Sequence, residues 1–399
     1  MKHIFSLLLT LSLCACSAVG PGGGSTDDTT TPDTTTPPAP ETTTPPETCP
    51  PAVTEIRPDD ETYVTWYGRT ANGAAGRVYF DYTASGFTVC FRGSKLELTF
   101  AATEWNNEKA RPYITVITDG EDYLSAPVYA LDKSTQTITL ELEEGEHTVR
   151  VLKRSEAHQS RAALTKAVTD GTFLPAAARP EVLIEFYGDS ITCGYGNRSE
   201  TPTGFSTETE DGLATYAFRT AEALGAEASV ISKSGIAVNL NVWENPLKLG
   251  HLVKRSSYHT QSEFKPERQA DVVVIYGGVN DRSYVSQASS ASESKQRLEN
   301  FTTAYTEMLG DILSLYPSAK IVCCTGMYGE ASTMGPRIRK AMTNAATAAG
   351  IQEEGQLYYL ELPAKAAADG IGADGHPSVK THERGAEVLT EKLKEILGR

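Results

Sequence analysis

The chain has 399 residues, more than one hydrophobic core usually fills, so two folded units and additional end segments are expected. Its 40% share of hydrophobic residues is that of a globular protein. A formal net charge of -15 argues against nucleic acid or an anionic membrane surface as a partner, because clustered lysine and arginine bind both.

The first residues, MKHIFSLLLTLSLCACS, combine a basic start, a short apolar run and small residues, which is the pattern of a secretion signal. Cys16 follows a small residue, as in the lipobox of bacterial lipoproteins. We therefore expect a signal peptide at 1–15, a lipidated Cys16 and a lipid-anchored protein of the bacterial cell envelope, periplasmic or at the surface. Ordinary signal cleavage nearby is the alternative. Threonine and proline dominate the rest of 16–51, which predicts an extended linker.

Residues 52–165 contain short runs of β-branched and aromatic residues separated by Gly, Asn and Asp turns, with no amphipathic helix among them. Examples are GRVYFDY, GFTVCFRG, KLELTFAA and RPYITVITDG. Strands at this spacing predict an antiparallel β-sandwich of the jelly-roll type.

From about residue 181, apolar strands alternate with helical stretches. The strands are VLIEFYG, EASVISKSG, ADVVVIYGG and AKIVCCTGM, and they are too uniformly apolar for a half-exposed sheet. The alternation predicts a doubly wound α/β/α domain over 175–399. In such a domain the working residues lie in the loops at the carboxyl ends of the strands.

Ser190 stands in the segment EFYGDSITCGYGN, directly after the first of these strands. It is a candidate nucleophile, but a Gly-Asp-Ser turn also supplies helix caps. A serine hydroxyl needs an imidazole to take its proton, so the choice depends on partners at the ends of other strands.

His376 is the candidate partner, since it lies in a Gly-rich loop, IGADGHPSVKTHE, before the last helix. Asp374, two residues earlier, is expected to reach its ring. We expect Asp189 and Asp281 to hold turns or cap helices, and His382, one turn into the last helix, to face solvent.

Two further loops offer hydrogen-bond donors for a negatively charged oxygen. Asn280, in YGGVNDRS, follows a buried strand and two glycines that allow close approach of the backbone. Gly235, in SKSGIAVN, follows another strand, and its N–H is a second candidate donor.

These segments together resemble the SGNH, or GDS-type, hydrolase family, named for Ser, Gly, Asn and His positions: GDSI, Gly235, GVND and DGHP. With the β domain in front, the chain most resembles carbohydrate esterase family two, which pairs a jelly roll with an SGNH domain. The resemblance covers nearly all of the folded chain.

The resemblance implies that Ser190 is the nucleophile and His376 the general base and acid. The oxyanion donors are then the Ser190 N–H, the Gly235 N–H and the Asn280 amide. The family's acidic residue usually lies three positions before the histidine, where this chain has Ala373. Asp374 takes that role here, with a backbone carbonyl as the alternative.

The resemblance further implies a metal-free serine esterase that removes O-acetyl groups from plant polysaccharides such as xylan or glucomannan. No zinc-ligand spacing or phosphate-binding loop occurs, so no cofactor or metal is expected. Trp243 and Tyr328 lie in loops expected near the site and are candidate sugar-binding rings. The alternatives are an SGNH lipase or lysophospholipase, and a catalytically silent glycan-binding lipoprotein.

Overall fold

A computed structural model describes residues 52–399 of the protein. The predicted signal peptide, lipidated Cys16 and linker lie outside the described residues and stay predictions. Over 52–399, none of the helices has the length and apolar character needed to cross a bilayer.

The first part of the described chain is an antiparallel β domain. Its ten strands join in one hydrogen-bonded sheet, in which β3-β4-β9-β5-β8-β6-β7 are successive neighbours; β1 pairs with β9, and β2 and β10 pair with β5. The strands are β1 (Glu55–Ile56), β2 (Val64–Tyr67), β3 (Ala71–Asn72), β4 (Val78–Tyr79), β5 (Gly86–Ala102), β6 (Tyr113–Thr118), β7 (Val128–Ala130), β8 (Thr135–Lys153), β9 (Ala162–Thr169) and β10 (Thr172–Leu174).

The long strand β5 shows how this domain forms its core. Phe87, Val89 and Phe91 point inward in its first half, at alternate positions, as expected of a strand with one buried face. In the second half the inward positions are even-numbered, beginning with Leu96. The pairing register with β8 shifts between Gly93 and Lys95, and the buried side chains change from odd to even positions across this irregularity.

The β-rich domain agrees with the predicted fold class, but its strands extend past residue 165 to Leu174. The final strand, β10, pairs with β5 and therefore belongs to the antiparallel sheet. Its jelly-roll topology stays a prediction.

The second part is an α/β domain built on a five-stranded parallel sheet in the order β12-β11-β13-β14-β15. Four of its strands were predicted; the fifth, at the edge of the sheet, was missed. Its sequence LYYLE is half-exposed, so it lacks the continuous apolar run of the central strands. The strands are β11 (Leu183–Gly188), β12 (Glu227–Ser232), β13 (Val272–Tyr276), β14 (Lys320–Thr325) and β15 (Leu357–Glu361).

Helices cover both faces of this sheet, as the doubly wound fold requires. Side chains of α3, α5 and α6 share one apolar core with alternate strand residues such as Val273, and those of α2 and α7 share the other with residues such as Val274. The helices are α1 (Ser190–Cys193), α2 (Tyr216–Ala223), α3 (Leu249–Val253), α4 (Val279–Ser286), α5 (Ala291–Leu315), α6 (Ala331–Ala349) and α7 (Val379–Leu397).

The two domains meet through buried polar contacts. Arg69, between β2 and β3, forms an ion pair with Glu185 of β11, and both side chains are 2% exposed. Arg154, after β8, pairs with Asp211 of the α/β domain over 3.2 Å. Removing one partner of such a pair leaves a buried, uncompensated charge, which costs about 3–5 kcal/mol. The described residues, 52–399, form one compact unit.

The prediction that His382 faces solvent is wrong. The side chain is 1% exposed, and its Nδ1 accepts the Tyr216 N–H over 3.3 Å. Burial, with His376 nearby, lowers the pKa of His382 to about 3, so the ring is neutral at neutral pH. Helix α7 turns this residue toward α2, which periodicity over the first turn alone does not show.

Candidate active site

Ser190 begins α1, two residues after β11 ends. The turn is tight: a Cβ on Gly188 would lie 1.9 Å from Thr192 Oγ1, so only glycine fits there. Asp189 caps the helix by accepting the Ile191 N–H over 3.0 Å. The capping role therefore belongs to Asp189, as predicted, and the hydroxyl of Ser190 is left for another partner.

That partner is His376, whose Nε2 lies 2.8 Å from Ser190 Oγ. On the other side of the ring, Nδ1 lies 3.0 Å from the carbonyl oxygen of Ala373. A carbonyl can only accept, so Nδ1 carries the hydrogen and Nε2 presents its lone pair to the serine hydroxyl. This is the tautomer that a general base requires.

The prediction that Asp374 orients His376 is wrong, because Nδ1 of His376 bonds to the backbone carbonyl of Ala373, which was the alternative. The carboxylate of Asp374 instead accepts the hydroxyl of Tyr195 over 3.0 Å. Asp374 has a left-handed backbone, with φ 50°, and the turn lets the ring of His376 reach the carbonyl of Ala373.

The surroundings of His376 favour its neutral form. Burial is the main cause, and it lowers the pKa of His376 from the usual 6.5. The bond to Ala373 and the charge of Asp374 raise this pKa, whereas the charge of Lys365 lowers it. At neutral pH the ring can therefore accept a proton.

The predicted oxyanion donors lie at the same edge of the sheet as Ser190. The parallel register aligns Gly188 with Ser232 on one neighbouring strand and with Tyr276 on the other. Gly235 and Asn280 follow these aligned positions within a few residues. Over residues 52–399, the N–H groups of Ser190 and Gly235 donate to no protein acceptor, so both are available to a ligand.

Other side chains fix the loop that carries Gly235. The Asn280 amide donates to the carbonyl of Ile236 over 2.8 Å, which ties the third donor to this loop and leaves its second amide hydrogen available. The amide of Asn241 donates to the carbonyl of Gly235 over 2.7 Å. Asp281 accepts three successive N–H groups, of residues 238–240, which matches its predicted structural role. Gly235 itself has φ +75°, a conformation that side chains disfavour.

Both predicted sugar-binding rings lie next to these groups. A Cβ on Gly235 would lie 3.3 Å from the ring of Trp243, which is 72% exposed. The ring centre of Tyr328 is 6.0 Å from that of His376. One ring thus flanks the predicted oxyanion donor and the other flanks the imidazole.

Sequence reasoning missed three side chains that surround His376 or the aromatic rings next to it. The Tyr195 ring centre is 4.4 Å from that of His376, and its other neighbour, Phe205, stacks on it at 3.9 Å. The ammonium group of Lys365 lies 3.6 Å from the ring centre of Tyr328. The position of Tyr195 in the GYG that follows GDSITC was an available signal; nothing in the sequence around Lys365 pointed to the site.

The arrangement is suited to acyl transfer. A serine hydroxyl bonded to a neutral, oriented imidazole can attack a carbonyl carbon. Backbone N–H groups and an amide on the neighbouring strands can stabilise the negative oxygen that forms. Together, these groups on a doubly wound α/β domain define a serine hydrolase of the SGNH class.

Comparison with known proteins agrees with that class and refines it. Residues 186–384 match the GDSL-like lipase/acylhydrolase family, and residues 66–177 match the amino-terminal domain of carbohydrate esterase 2. The chain belongs to the two-domain carbohydrate esterases of family two.

Three relatives illustrate this membership. The cellulase/esterase CelE of Acetivibrio thermocellus is 31% identical over 341 residues, which are 80% of this chain but 39% of the relative, so the chain spans about two fifths of that protein. The acetylxylan esterase/glucomannan deacetylase of Cellvibrio japonicus is 24% identical over 84% of this chain and 90% of its own length. The structure of a family two carbohydrate esterase from Clostridium thermocellum, in complex with cellohexaose, has 27% identity and a TM-score of 0.73, covering 84% of this chain and 99% of that one.

Because the Ala373 carbonyl, and not Asp374, orients His376, we expect the variant Asp374→Asn to keep most of its activity. Its kcat should fall less than about tenfold, against the ~10⁴-fold loss seen where a carboxylate holds the histidine. The wild-type acid limb of kcat/KM should lie below pH 6.5, because burial lowers the pKa of His376. Removing the charge of Asp374 should move that limb to still lower pH.

The matched control is Lys365→Gln, which removes a positive charge near the same ring and should move the acid limb to higher pH. The measurement is a pH–rate profile for each protein with a nitrophenyl ester. A loss of several thousandfold in Asp374→Asn would assign the orienting role to the carboxylate and contradict this account.

Proposed function

We propose that the protein is a serine esterase that removes O-acetyl groups from polysaccharides through an acetyl-serine intermediate. The observation that carries the proposal is the 2.8 Å contact between Ser190 Oγ and His376 Nε2. Residues 186 positions apart in the chain meet there in the geometry of a nucleophile and its base.

In the first half of the reaction, the oxygen of Ser190 attacks the acetyl carbonyl carbon while Nε2 of His376 takes the hydroxyl proton. The carbonyl oxygen becomes an oxyanion and receives hydrogen bonds from the N–H groups of Ser190 and Gly235 and from Asn280. The tetrahedral species then collapses. The C–O bond to the sugar breaks, and the imidazolium returns its proton to the sugar oxygen.

The second half releases acetate from the acetyl-serine. His376 takes a proton from water as the water oxygen attacks the acetyl carbon, and the same donors stabilise the second oxyanion. The bond to Ser190 Oγ breaks, and the serine recovers its proton from the imidazolium. The Ala373 carbonyl holds Nδ1–H throughout, so the ring keeps the orientation that both steps use.

Two observations favour a polysaccharide substrate over a lipid. The loop of residues 196–212 beside the site is rich in Ser, Thr and Glu, and its middle part, 198–204, is largely exposed, which does not suit a long acyl tail. The relatives also carry names that refer to acetylated or cellulosic glycans. The intact contact between Ser190 and His376 argues against a silent binding protein.

The first test is the variant Ser190→Ala, assayed by acetate release from acetylated xylan, glucomannan and pectin. Loss of the nucleophile should lower kcat by at least about 10³-fold, with folding unchanged, because a buried hydroxyl is replaced by a hydrogen atom. Substrate recognition should be retained, so binding of the glycan to the variant separates lost chemistry from lost binding.

A chain-length series of nitrophenyl esters distinguishes the esterase from the lipase. The proposal expects kcat/KM to be highest for acetyl and to fall toward octanoyl. Acetate release by Ser190→Ala, or a preference for octanoyl, would contradict it.

The exposed ring of Trp243 supports a sugar platform at the Gly235 side of the site. We expect Trp243→Ala to raise KM for an acetylated oligosaccharide about tenfold, because a lost aromatic face is worth roughly 1–1.5 kcal/mol. The variant Trp243→Phe should recover much of the loss. Nitrophenyl acetate is the control substrate, and its KM should change less than about twofold. Unchanged KM for the oligosaccharide in Trp243→Ala would remove Trp243 from the binding site.

We also propose that the protein is anchored in the bacterial envelope by a lipid on Cys16. The support is the signal-like start of the sequence and the Thr- and Pro-rich segment that follows it. In cells given an alkyne-tagged fatty acid, the wild type should carry the label and sediment with membranes. The variant Cys16→Ser should carry none; equal labelling of the two proteins would exclude this site.

A further inference from the structure

The loop between β8 and β9, residues 154–161 of the β domain, reaches the catalytic edge of the α/β domain. It carries Glu156, a fully buried carboxylate, whose Oε2 accepts the Ser234 N–H over 2.7 Å. Ser234 immediately precedes Gly235, the predicted oxyanion donor. A side chain of the first domain thus bonds to the peptide beside an active-site donor of the second.

The loop that carries Gly235 also receives hydrogen bonds from its own α/β domain. Asp281, Asn280 and Asn241 bind the backbone of 235–240 from the carboxyl-terminal side. Glu156 binds on the amino-terminal side, one residue before Gly235. Hydrogen bonds therefore fix the backbone on both sides of Gly235. The bond on the amino-terminal side, from Ser234 to Glu156, crosses the domain boundary.

Glu156 is itself fixed by a buried network. The ammonium group of Lys153 donates to the carbonyls of Ser155 and Glu156 over 2.7 and 3.0 Å. The N–H of Glu156 donates to Glu210 Oε2 over 3.0 Å. Burial, and after it the nearby Glu156, raise the pKa of Glu210 well above its usual range, which favours the neutral form of Glu210. Lys153 supplies a compensating positive charge, although burial lowers its pKa.

We propose that Glu156 is a positioning residue for the oxyanion-binding loop, through which the β domain completes the active site. The inference rests on the proposed esterase mechanism, in which the Gly235 N–H stabilises the oxyanion. Gly235 has the left-handed φ of +75°, and the peptide that links it to Ser234 carries the donating N–H. Without the bond to Glu156, the Lys233–Ser234 peptide keeps the bond from the Ile236 N–H to the Lys233 carbonyl but loses the buried acceptor of its own N–H. The Gly235 N–H beside it is then held less firmly toward the oxyanion.

The central experiment compares Glu156→Ala with Glu156→Gln in steady-state hydrolysis of nitrophenyl acetate. The alanine variant should lose about 10- to 100-fold in kcat, because misplacement by about 1 Å of a transition-state donor has that effect. Its KM should stay within about threefold, since the donor acts on the transition state. The glutamine variant retains an oxygen that can accept the Ser234 N–H, so it should recover most of the kcat.

A second readout reports on the oxyanion site without turnover. A boronic acid forms a tetrahedral adduct with the serine and places an oxygen among the oxyanion donors. Its affinity should fall in Glu156→Ala by a factor similar to the loss in kcat and should return in Glu156→Gln. Because this readout needs only Ser190 and its donors, it tests the positioning role even if the natural substrate is not an acetylated glycan.

Glu185→Gln is the matched control, since Glu185 is also a buried carboxylate bonded across the domain boundary, to Arg69. It should lower the melting temperature while leaving kcat and boronate affinity unchanged. If Glu156→Ala does not fold, Glu156→Asp replaces it, and a carboxylate that is one methylene shorter should give an intermediate loss. Wild-type kcat in Glu156→Ala, or a glutamine variant as impaired as the alanine variant, would overturn the proposal.

Discussion

The site depends on one hydrogen bond, between Ser190 Oγ and His376 Nε2, which joins residues 186 positions apart. It forms because Ser190 follows β11 at the carboxyl edge of the sheet, and because His376, in the loop before α7, lies at the same edge. Parallel strands place the ends of successive β–α units side by side, so the donors after β12 and β13 reach the same place without any local sequence relation to Ser190.

A carbonyl in place of a carboxylate at Nδ1 changes the electrostatics of the pair. The Ala373 carbonyl fixes the tautomer as a carboxylate would, but it brings no full negative charge to stabilise the imidazolium. The carboxylate of Asp374 contributes from a greater distance, through the field that raises the pKa of His376, while its direct bond goes to Tyr195. Burial dominates, so the neutral base is favoured before the reaction, and the imidazolium relies on the developing oxyanion beside it for stabilisation.

Sequence patterns predicted the strand ends and therefore much of the site. Ser190, Gly235 and Asn280 were identified because each follows an apolar run that is typical of a buried parallel strand, and topology alone brings such positions together. The orientation of Asp374 was not predictable, because it depends on one backbone angle in a Gly-rich turn. The burial of His382 depends on how α7 rotates against α2, and β15 is an edge strand without the continuous apolar signal. Tertiary packing decides each of these.

The β domain is bound to the catalytic domain by apolar side chains such as Leu152, which share a core with Phe186 and Phe218, and by buried polar groups. Arg69 and Glu185 form a buried ion pair, and the carboxylate of Glu156 accepts a hydrogen bond from the Ser234 N–H of the other domain. Separation of the domains would leave the N–H of Ser234, beside Gly235, without its acceptor Glu156. A domain whose role was limited to binding glycan would have no need of such a contact at the catalytic edge. Its presence there means that the active-site geometry belongs to the two domains jointly.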